Sequence, residues 1–157
     1  MKIAIYPGSF DPITKGHLDV LQTGSEIFDK VIIAVSKNSS KTSFLSVEER
    51  VNLIKQSVGY LENVEVDSFE GLTVEYAKQK GAKVLLRGLR AVSDFEYEMQ
   101  LSQTNSALCA DIKTVFLITK PKYNFISSST IKEVAIMGGD NAKFVPEPVS
   151  AYLKTKF

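Results

Sequence analysis

The residues with the clearest chemical potential lie between Gly8 and His17, in a loop of pattern G-x-F-x-P-x-T-x-G-H. An apolar run, Lys2–Tyr6, precedes the loop, and an amphipathic run, Leu18–Phe28, follows it. Such a loop presents backbone N–H groups to an anion, and Gly8 is expected to allow a tight turn. The one histidine of the chain, His17, can donate a hydrogen bond to a phosphate oxygen. The spacing matches neither G-x-x-x-x-G-K-[ST] nor G-x-G-x-x-G, and an ordinary strand–helix turn with a surface histidine is the alternative.

Three cationic side chains follow other strand-like runs and could contribute to the same anion site. Lys41 lies in a polar loop after the second run, and Arg87 and Arg90 lie at the end of the fourth. Guanidinium groups carry fixed sets of donors, so two arginines three positions apart can hold an oxyanion, and Gly88 would let the backbone approach it. The alternatives are a solvated lysine and ion pairs of the arginines with the acidic residues that follow, Asp94, Glu96 and Glu98.

A run of hydroxyl-bearing residues, Ser127 to Thr130, precedes a helical pattern. One or two such residues are common helix N-caps, and Thr130 with Glu133 fits a capping box. Four in succession exceed what capping requires and suit a second anion site on exposed N–H groups. The spacing shows no evident Ser-His-Asp set and no setting for a cysteine nucleophile. It also shows no histidine-rich metal site, so the residues that would bind a metal stay unknown.

Strand and helix signals alternate along the chain, and this alternation predicts how the candidate residues come together. The strand candidates are Lys2–Tyr6, Lys30–Ser36, Val64–Phe69, Lys83–Arg87 and Thr114–Thr119. The helix candidates are His17–Phe28, Val47–Gly59, Thr73–Lys80, Asp94–Leu108, Thr130–Met137 and Pro148–Lys154. The pattern predicts an α/β fold: a single Rossmann-like, doubly wound domain over residues 1–157, with a five-stranded parallel sheet and helices on both faces. Ligands bind at the carboxyl ends of such strands, so the loops after the strands should form one site.

Helix boundaries are marked by capping residues and by glycines. Capping-box patterns predict two helix starts, at Ser46 with Glu49 and at Ser93 with Glu96. Glycines predict two helix ends, at Gly81 and at Gly138–Gly139.

The composition narrows the class of partner. The 157 residues include 19 Lys and Arg against 18 Asp and Glu, so no bulk charge favours nucleic acid or a membrane. Cys109 is the only cysteine, which excludes a disulfide within the chain and a thiolate metal cage. The sequence starts on a strand-like run, and no apolar stretch reaches membrane-spanning length. We therefore expect a cytoplasmic protein without nucleic-acid or membrane partners.

These motifs resemble the nucleotidyltransferase superfamily with the T/H-x-G-H signature, here Thr14-Lys-Gly-His17. More closely, the chain resembles the family of bacterial phosphopantetheine adenylyltransferases. The matching segments run in order along almost the whole chain: Ala4–His17, Glu48–Val51, Leu86–Ala91, Asp94–Leu101 and Phe125–Ser129.

The resemblance implies transfer of the adenylyl group of ATP to 4′-phosphopantetheine, with Mg²⁺, giving dephospho-coenzyme A and pyrophosphate. In that reaction the acceptor phosphate attacks the α-phosphorus in line with the leaving pyrophosphate, without a covalent enzyme intermediate. The family is typically a homohexamer. Two alternatives stay open: an adenylyl- or cytidylyltransferase for another phosphorylated acceptor, and a nucleotide-binding module that has lost its chemistry.

The resemblance also implies roles for individual residues. The catalytic set would be His17 as transition-state stabiliser on the ATP phosphates, with Lys41 and Arg87. Ser9, Lys41, Thr73 and Arg87 would bind phosphopantetheine. The ATP site would comprise Ser9, Phe10, His17, Gly88, Leu89, Arg90, Glu98, Tyr123, Asn124, Phe125, Ile126, Ser127, Ser128 and Ser129.

Overall fold

The computed structural model describes residues 1–37 and 43–157, without the side chains of Val92 and Ser93. A single sheet contains β1 (Ile3–Gly8), β2 (Lys30–Ser36), β3 (Val64–Phe69), β4 (Val84–Leu89) and β5 (Lys113–Ile118). The strands lie in the order β3-β2-β1-β4-β5, and every neighbouring pair is parallel. The chain moves outward from β1 to β3 and then crosses to the other side of β1. The boundary between β1 and β4 is therefore the topological switch point, where ligands bind in such sheets.

Six helices are present among the described residues. They are α1 (Lys15–Ile27), α2 (Val47–Val58), α3 (Thr73–Gln79), α4 (Val92–Leu108), α5 (Ser128–Ile136) and α6 (Glu147–Lys156), and one 3₁₀ turn lies at Pro121–Tyr123. In residues 1–37 and 43–157 no helix combines the length and the apolar composition that a membrane crossing requires.

The two faces of the sheet have separate hydrophobic cores, because alternate strand residues point to opposite faces. Ile5, Ile32 and Leu85 enter one core, together with residues of α3. Their sequence neighbours on the strands, such as Ile33 and Leu86, enter the other core, together with residues of α1, α2, α5 and α6. Strands covered on both faces explain the continuous apolar runs of the sequence, and the predicted α/β fold is confirmed.

Most predicted helix boundaries are confirmed to within a residue or two, but two predicted capping boxes are wrong. Helix α4 begins at Val92 with Ala91 as its N-cap and no side-chain cap, so Ser93 lies inside the first turn. The N-cap of α5 is Ser127, whose hydroxyl accepts from the backbone N–H of Thr130. In both cases the helix starts two residues earlier than predicted: α5 uses an earlier serine of the same hydroxyl-rich run as its cap, and α4 begins without a side-chain cap.

The β1–α1 loop also differs from its prediction. The residue with positive φ is Phe10, at +46°, and not Gly8. Helix α1 starts at Lys15, two residues before the predicted start, because Thr14 and His17 form a reciprocal capping box. The Ser46–Glu49 capping box of α2 is confirmed, as are the helix stops at Gly81 and Gly138, whose φ angles are +71° and +79°.

Helix α1 packs very closely on β4, and two glycines make this possible. A Cβ atom at Gly24 would lie 2.5 Å from Cδ2 of Leu86, and one at Gly88 would lie 2.8 Å from Cγ2 of Val20. Gly88 therefore leaves room for the side chain of Val20 on α1. This packing is a reason for glycine at this position in addition to the predicted approach of a ligand.

We expect Gly24→Ala to destabilise the fold, although alanine is normally favoured over glycine inside a helix by about 1 kcal/mol. Leu86 is fully buried, so its side chain must shift within the core to make room for the new Cβ, and such overpacking costs about 1–3 kcal/mol. Urea unfolding measures the difference. The matched control is Gly59→Ala, where the nearest atom to a new Cβ is 3.9 Å away. A loss of stability in the control as large as that at Gly24 would contradict this explanation.

Candidate active site at the sheet switch point

Two clefts open side by side at the carboxyl ends of β1 and β4. Each has a volume of about 310 Å³. They share one wall, which is formed by Pro7, Gly8 and Ser9 from the end of β1 and by Arg87 and Glu98. Two ligands bound in these clefts would therefore meet at this shared wall.

The first cleft is suited to a polyanion, because the N-termini of two helices open into it. Thr14, Gly16 and His17 bring the start of α1, and Ser127–Ser129 bring the start of α5. Helix N-termini carry free N–H groups and partial positive charge, and both favour phosphate. The two helix starts are joined by a hydrogen bond of 2.9 Å from the hydroxyl of Ser128 to the carbonyl of Pro12.

The imidazole of His17 is held in one orientation by its own helix. Its Nδ1 accepts a hydrogen bond of 3.0 Å from the backbone N–H of Thr14. An imidazole whose Nδ1 accepts must carry its proton on Nε2 when it is neutral. The ring of Phe10 packs edge-on against the imidazole, with 5.0 Å between the centroids. His17 lines the first cleft, and its Nε2–H is the remaining donor for a ligand.

Burial lowers the pKa of His17 to about 3, and the positive charges of Arg90 and Arg87 act in the same direction. The imidazole is thus neutral near pH 7 in the ligand-free protein. In this state it is a hydrogen-bond donor and not a cation, which agrees with its tautomer.

This low pKa predicts a pH dependence of stability. An unfolded chain takes up a proton at histidine as the pH falls below about 6.5, whereas the folded protein does so only near pH 3. The contribution of neutral His17 to the free energy of unfolding is complete above pH 6.5. At lower pH it is lost progressively, by at most about 1.4 kcal/mol per pH unit. Urea unfolding of the wild type and of His17→Asn between pH 7 and 4.5 measures it, since other titrating groups cancel in the difference. Parallel pH profiles of the two proteins would contradict the assignment.

Arg87 and Glu98 form a two-pronged ion pair in the shared wall. Nε and Nη2 of Arg87 donate to the carboxylate of Glu98 at 2.8 and 2.6 Å, and Nη1 donates to the carbonyl of Pro7 at 2.7 Å. Burial alone would lower the pKa of Arg87, but its hydrogen bond to Glu98 and the charge of that carboxylate raise it overall. A guanidinium has five N–H donors, so two of them have no partner within residues 1–37 and 43–157 and can bind a ligand.

Arg90 links three elements around the mouth of the first cleft. Its Nε donates to Asp94 of α4 at 2.8 Å, and its Nη1 donates to the carbonyl of Ile126 before α5. The ion pairs that the sequence offered as an alternative role for the two arginines are therefore present. Both arginines still line the first cleft, so pairing orients them without removing them from the site.

The second cleft is lined by fewer charged side chains than the first. Beyond the shared wall it is lined by Thr73 at the start of α3, Ser36 and Phe69 at strand ends, and one face of α4. That face presents Tyr97, Leu101, Ser102 and Asn105. A mixed apolar and polar channel of this kind suits an extended, uncharged chain attached to a phosphate at the shared wall.

Comparison with known proteins decides the family. The model of the cytidylyltransferase-like family matches residues 5–134. A phosphopantetheine adenylyltransferase of Desulforudis audaxviator is 54% identical over 157 residues, covering 100% of this chain and 96% of the relative. One of Carboxydothermus hydrogenoformans is 51% identical, covering 100% of this chain and 97% of the relative.

The chain belongs to the phosphopantetheine adenylyltransferase family. Its fold is also that of a Vibrio parahaemolyticus protein assigned as a nicotinate-nucleotide adenylyltransferase. The two structures have a TM-score of 0.75 at 21% identity, covering 99% of this chain and 93% of the other.

In this member of the phosphopantetheine adenylyltransferase family, most of the predicted site residues lie around the two clefts. The first cleft is lined by Ser9, Phe10, His17, Arg87, Gly88, Arg90, Glu98, Ile126, Ser127, Ser128 and Ser129. The second is lined by Ser9, Thr73, Arg87 and Glu98. The switch-point topology therefore brings together residues that are up to 120 positions apart in the sequence, from Ser9 to Ser129.

Four predicted site residues among the described ones are not in the walls of either cleft. Leu89 is the last residue of β4, and the backbone of Tyr123 lies beside Gly16, with 3.7 Å from the Tyr123 carbonyl oxygen to an ideal Cβ there. Asn124 and Phe125 are exposed, and Phe125 packs edge-on against Phe144. Lys41 lies outside the described residues, so its role stays a prediction.

Several wall residues were not identified from the sequence as site residues. Tyr6, Thr14, Asp94 and Thr119 line the first cleft, and burial raises the pKa of Tyr6, so its hydroxyl is neutral. Thr14 could have been found from the Thr-x-x-His pattern of its capping box. The face of α4 in the second cleft could have been found from the i, i+4 and i+8 spacing of Tyr97, Leu101 and Asn105.

Carboxylates near the first cleft are engaged in ion pairs. Asp94 pairs with Arg90 and Glu98 with Arg87, and Asp19, buried beneath the cleft, accepts from the backbone N–H of Lys120. Among residues 1–37 and 43–157, no group of three or more His, Cys, Asp or Glu side chains is arranged to hold a metal ion.

Proposed function

We propose that the protein transfers the adenylyl group of ATP to 4′-phosphopantetheine, giving dephospho-coenzyme A and pyrophosphate, the penultimate step of coenzyme A synthesis. The observation that carries this proposal is the pair of clefts that meet at the Gly8–Ser9 and Arg87–Glu98 wall. ATP occupies the first cleft, between the starts of α1 and α5. Phosphopantetheine occupies the second, with its phosphate at the shared wall and its pantetheine arm along α4.

The reaction requires positioning and neutralisation of charge more than proton transfer. The acceptor phosphate is already an anion, so it can attack the α-phosphorus of ATP without a general base. One P–O bond forms to the acceptor, and the bond to pyrophosphate breaks on the opposite side. Holding two reactants in line can supply about 7–11 kcal/mol of the barrier.

His17 stabilises the transition state in this scheme. Its Nε2–H donates to an oxygen of the ATP phosphates, where negative charge increases as the reacting phosphorus becomes five-coordinate. A neutral imidazole fixed by Thr14 needs no reorganisation when this charge develops. The starts of α1 and α5, with Ser127–Ser129, hold the phosphates of ATP. Arg90 forms part of the wall of the first cleft, in which ATP binds.

Arg87 holds the phosphate of the acceptor with the donors that Glu98 and Pro7 leave free. Ser9 lies between the two substrates, and Thr73 lines the pantetheine side. The family resemblance assigns Lys41, which lies outside the described residues, to binding of the acceptor. Glu98 orients Arg87, and its carboxylate is committed to that ion pair. It therefore serves binding and not proton abstraction.

Mg²⁺ enters in this proposal as part of the substrate, bound to the phosphates of ATP. Mg²⁺ is usually held by substrate phosphates, water and one or two carboxylates. Because Asp94 and Glu98 are already paired with arginines, the phosphates and water supply most of its ligands here.

We also propose that the protein is a cytoplasmic homohexamer. Large apolar side chains are exposed along α4 and at the end of β5, where Phe95 is 45%, Tyr97 60% and Ile118 84% exposed. Exposed apolar patches of this kind commonly mark interfaces. Light scattering on the purified protein measures the subunit number, and a monomer at micromolar concentration would contradict the assembly.

An acceptor panel tests the proposed function. The protein is incubated with ATP and Mg²⁺ and with 4′-phosphopantetheine, nicotinamide mononucleotide or glycerol 3-phosphate in turn, and release of pyrophosphate is measured. We expect turnover with phosphopantetheine alone. Turnover confined to another acceptor would favour a different nucleotidyltransferase, and tight ATP binding without any turnover would favour a binding module. His17, Arg87 and Arg90 in the first cleft argue against the latter.

A further inference from the structure

Arg50 is a buried cation of α2 that donates hydrogen bonds to backbone carbonyls. It is only 5% exposed. Its Nε donates to the carbonyl of Leu45 at 3.1 Å, and its Nη1 donates to the carbonyl of Ser9 at 2.9 Å. No carboxylate among residues 1–37 and 43–157 forms an ion pair with it. Arg50 lies in the segment Glu48–Val51 and has none of the roles proposed above.

Asp11, which is 4% exposed, holds the same segment from the other side. Its carboxylate accepts from the backbone N–H groups of Phe44 and Leu45 at 2.7 and 2.8 Å, and it pairs with Lys132 at 3.1 Å. The connections run from the Ser9 carbonyl to Arg50, from Arg50 to the carbonyl of Leu45, from the N–H of Leu45 to Asp11, and along the chain back to Ser9. They form a closed circuit, which we call the Arg50–Asp11 ring.

Phe10 lies inside the Arg50–Asp11 ring, between Ser9 and Asp11. Its φ of +46° is in the left-handed region, which residues other than glycine adopt rarely. Such a conformation persists when surrounding contacts hold it, and it is often found at functional sites. It places the phenyl ring, only 3% exposed, against the imidazole of His17 at 5.0 Å and against Tyr6 at 5.2 Å.

We propose that Arg50 is a positioning residue for the transfer reaction. By fixing the Ser9 carbonyl, it holds Phe10 in its left-handed conformation, and the phenyl ring in turn fixes the imidazole of His17. The same hydrogen bond fixes the position of Ser9 in the wall between the two clefts. This inference rests on the proposed function, because the orientation of His17 matters only if its Nε2–H acts on the phosphates.

A simpler role for Arg50 is to join α2 to the β1–α1 loop for stability alone. The two roles differ in their effect on His17. A stabilising contact changes the melting temperature but leaves the folded imidazole as it is. A positioning residue changes the imidazole and the rate constant in protein that is still folded.

The test uses Arg50→Met, which removes the donors, and Arg50→Lys, which keeps the charge but cannot reach both carbonyls with a fixed fork. The control is Ile112→Ala. Ile112 immediately precedes β5, lines neither cleft and is buried in the core on the α3 side of the sheet, whereas Phe10 and Leu45 belong to the core on the other side, so this change destabilises the core without touching the ring. The chain has one histidine, so two-bond ¹⁵N–¹H correlation spectra of the ligand-free protein report the tautomer of His17 without ambiguity. Initial rates with ATP and phosphopantetheine give kcat and both KM values at a temperature where each variant is folded.

We expect the spectrum of the wild type and of Ile112→Ala to show the Nε2–H tautomer, with similar kcat values. In both Arg50 variants the histidine signal should shift or become a mixture of tautomers, and kcat should fall on the order of 10- to 100-fold, as misplacement of reacting groups does. If Arg50→Met does not fold, the result of Arg50→Lys decides. A folded Arg50 variant with an unchanged histidine spectrum and a kcat within about twofold of wild type would overturn the proposal. The spectra need no substrate, so wild-type protein without turnover would count against the proposed function instead.

Discussion

His17→Ala should lower kcat by about 10²–10³-fold, while the Kd of ATP changes much less. The Nε2–H of the neutral imidazole gains strength as charge develops on the phosphates, so its loss is felt in the transition state more than in the bound ground state. Single-turnover rates and ATP titration of the same variant separate the two effects. Equal losses in ATP affinity and in rate would mean that the histidine only binds nucleotide.

Two further variants separate the catalytic contact of His17 from its capping contact. In His17→Asn the side-chain oxygen can replace Nδ1 as acceptor for the N–H of Thr14, but no donor remains at the position of Nε2. It should be as slow as His17→Ala and closer to wild type in stability at pH 7. His17→Gln places an amide N–H near the position of Nε2 and should recover part of the rate. A fast His17→Asn would show that the cap, and not the donor, supports turnover.

Arg87→Ala should lower both stability and turnover, and a second substitution should restore only the stability. The side chain of Glu98 is 9% exposed, so removing Arg87 leaves a buried carboxylate unpaired, at a cost of about 3 kcal/mol. The double variant Arg87→Ala/Glu98→Ala has no stranded charge and should regain much of that loss. Its kcat/KM for phosphopantetheine should stay low by about 10–100-fold, because hydrogen bonds to charged groups are worth about 1.5–3 kcal/mol each.

Urea unfolding and steady-state kinetics on the two single variants and the double variant give the cycle for each property. Glu98→Ala alone should cost stability less than Arg87→Ala, since the guanidinium is more exposed, at 22%. If the double variant recovered turnover together with stability, Arg87 would be a structural residue. If the KM of ATP rose and that of phosphopantetheine did not, the two substrates would occupy the clefts in the opposite order.

The fold could be predicted because its signals are local and repeated. Apolar runs such as Val31–Val35 indicate strands covered on both faces, and their alternation with helices leads to a parallel sheet. Helix starts were harder to predict, since the N-cap of α4 is Ala91, whose side chain has no group that can cap a helix. A pattern such as Ser93 with Glu96 therefore pointed to a start two residues too late.

The site was predictable where a motif coincides with the end of a strand, as at His17 and Arg87. The partners of these residues were less accessible to sequence reasoning. Glu98 was one of three acidic residues that Arg87 could have met, and the register of α4 against β4 selects it. The link from Arg50 to Ser9 joins residues 41 positions apart through a backbone carbonyl, a contact that leaves no trace in residue types.

The division of the two clefts along the chain has a consequence for how such proteins diversify. The first cleft is formed chiefly by the starts of α1 and α5. The wall of the second cleft that lies away from the first is formed by α3 and the later turns of α4. Substitutions at Leu101 or Asn105 can thus change which acceptor fits the second cleft. They leave His17 and the walls of the first cleft unchanged. A lineage could exchange one co-substrate for another by altering a single helix face.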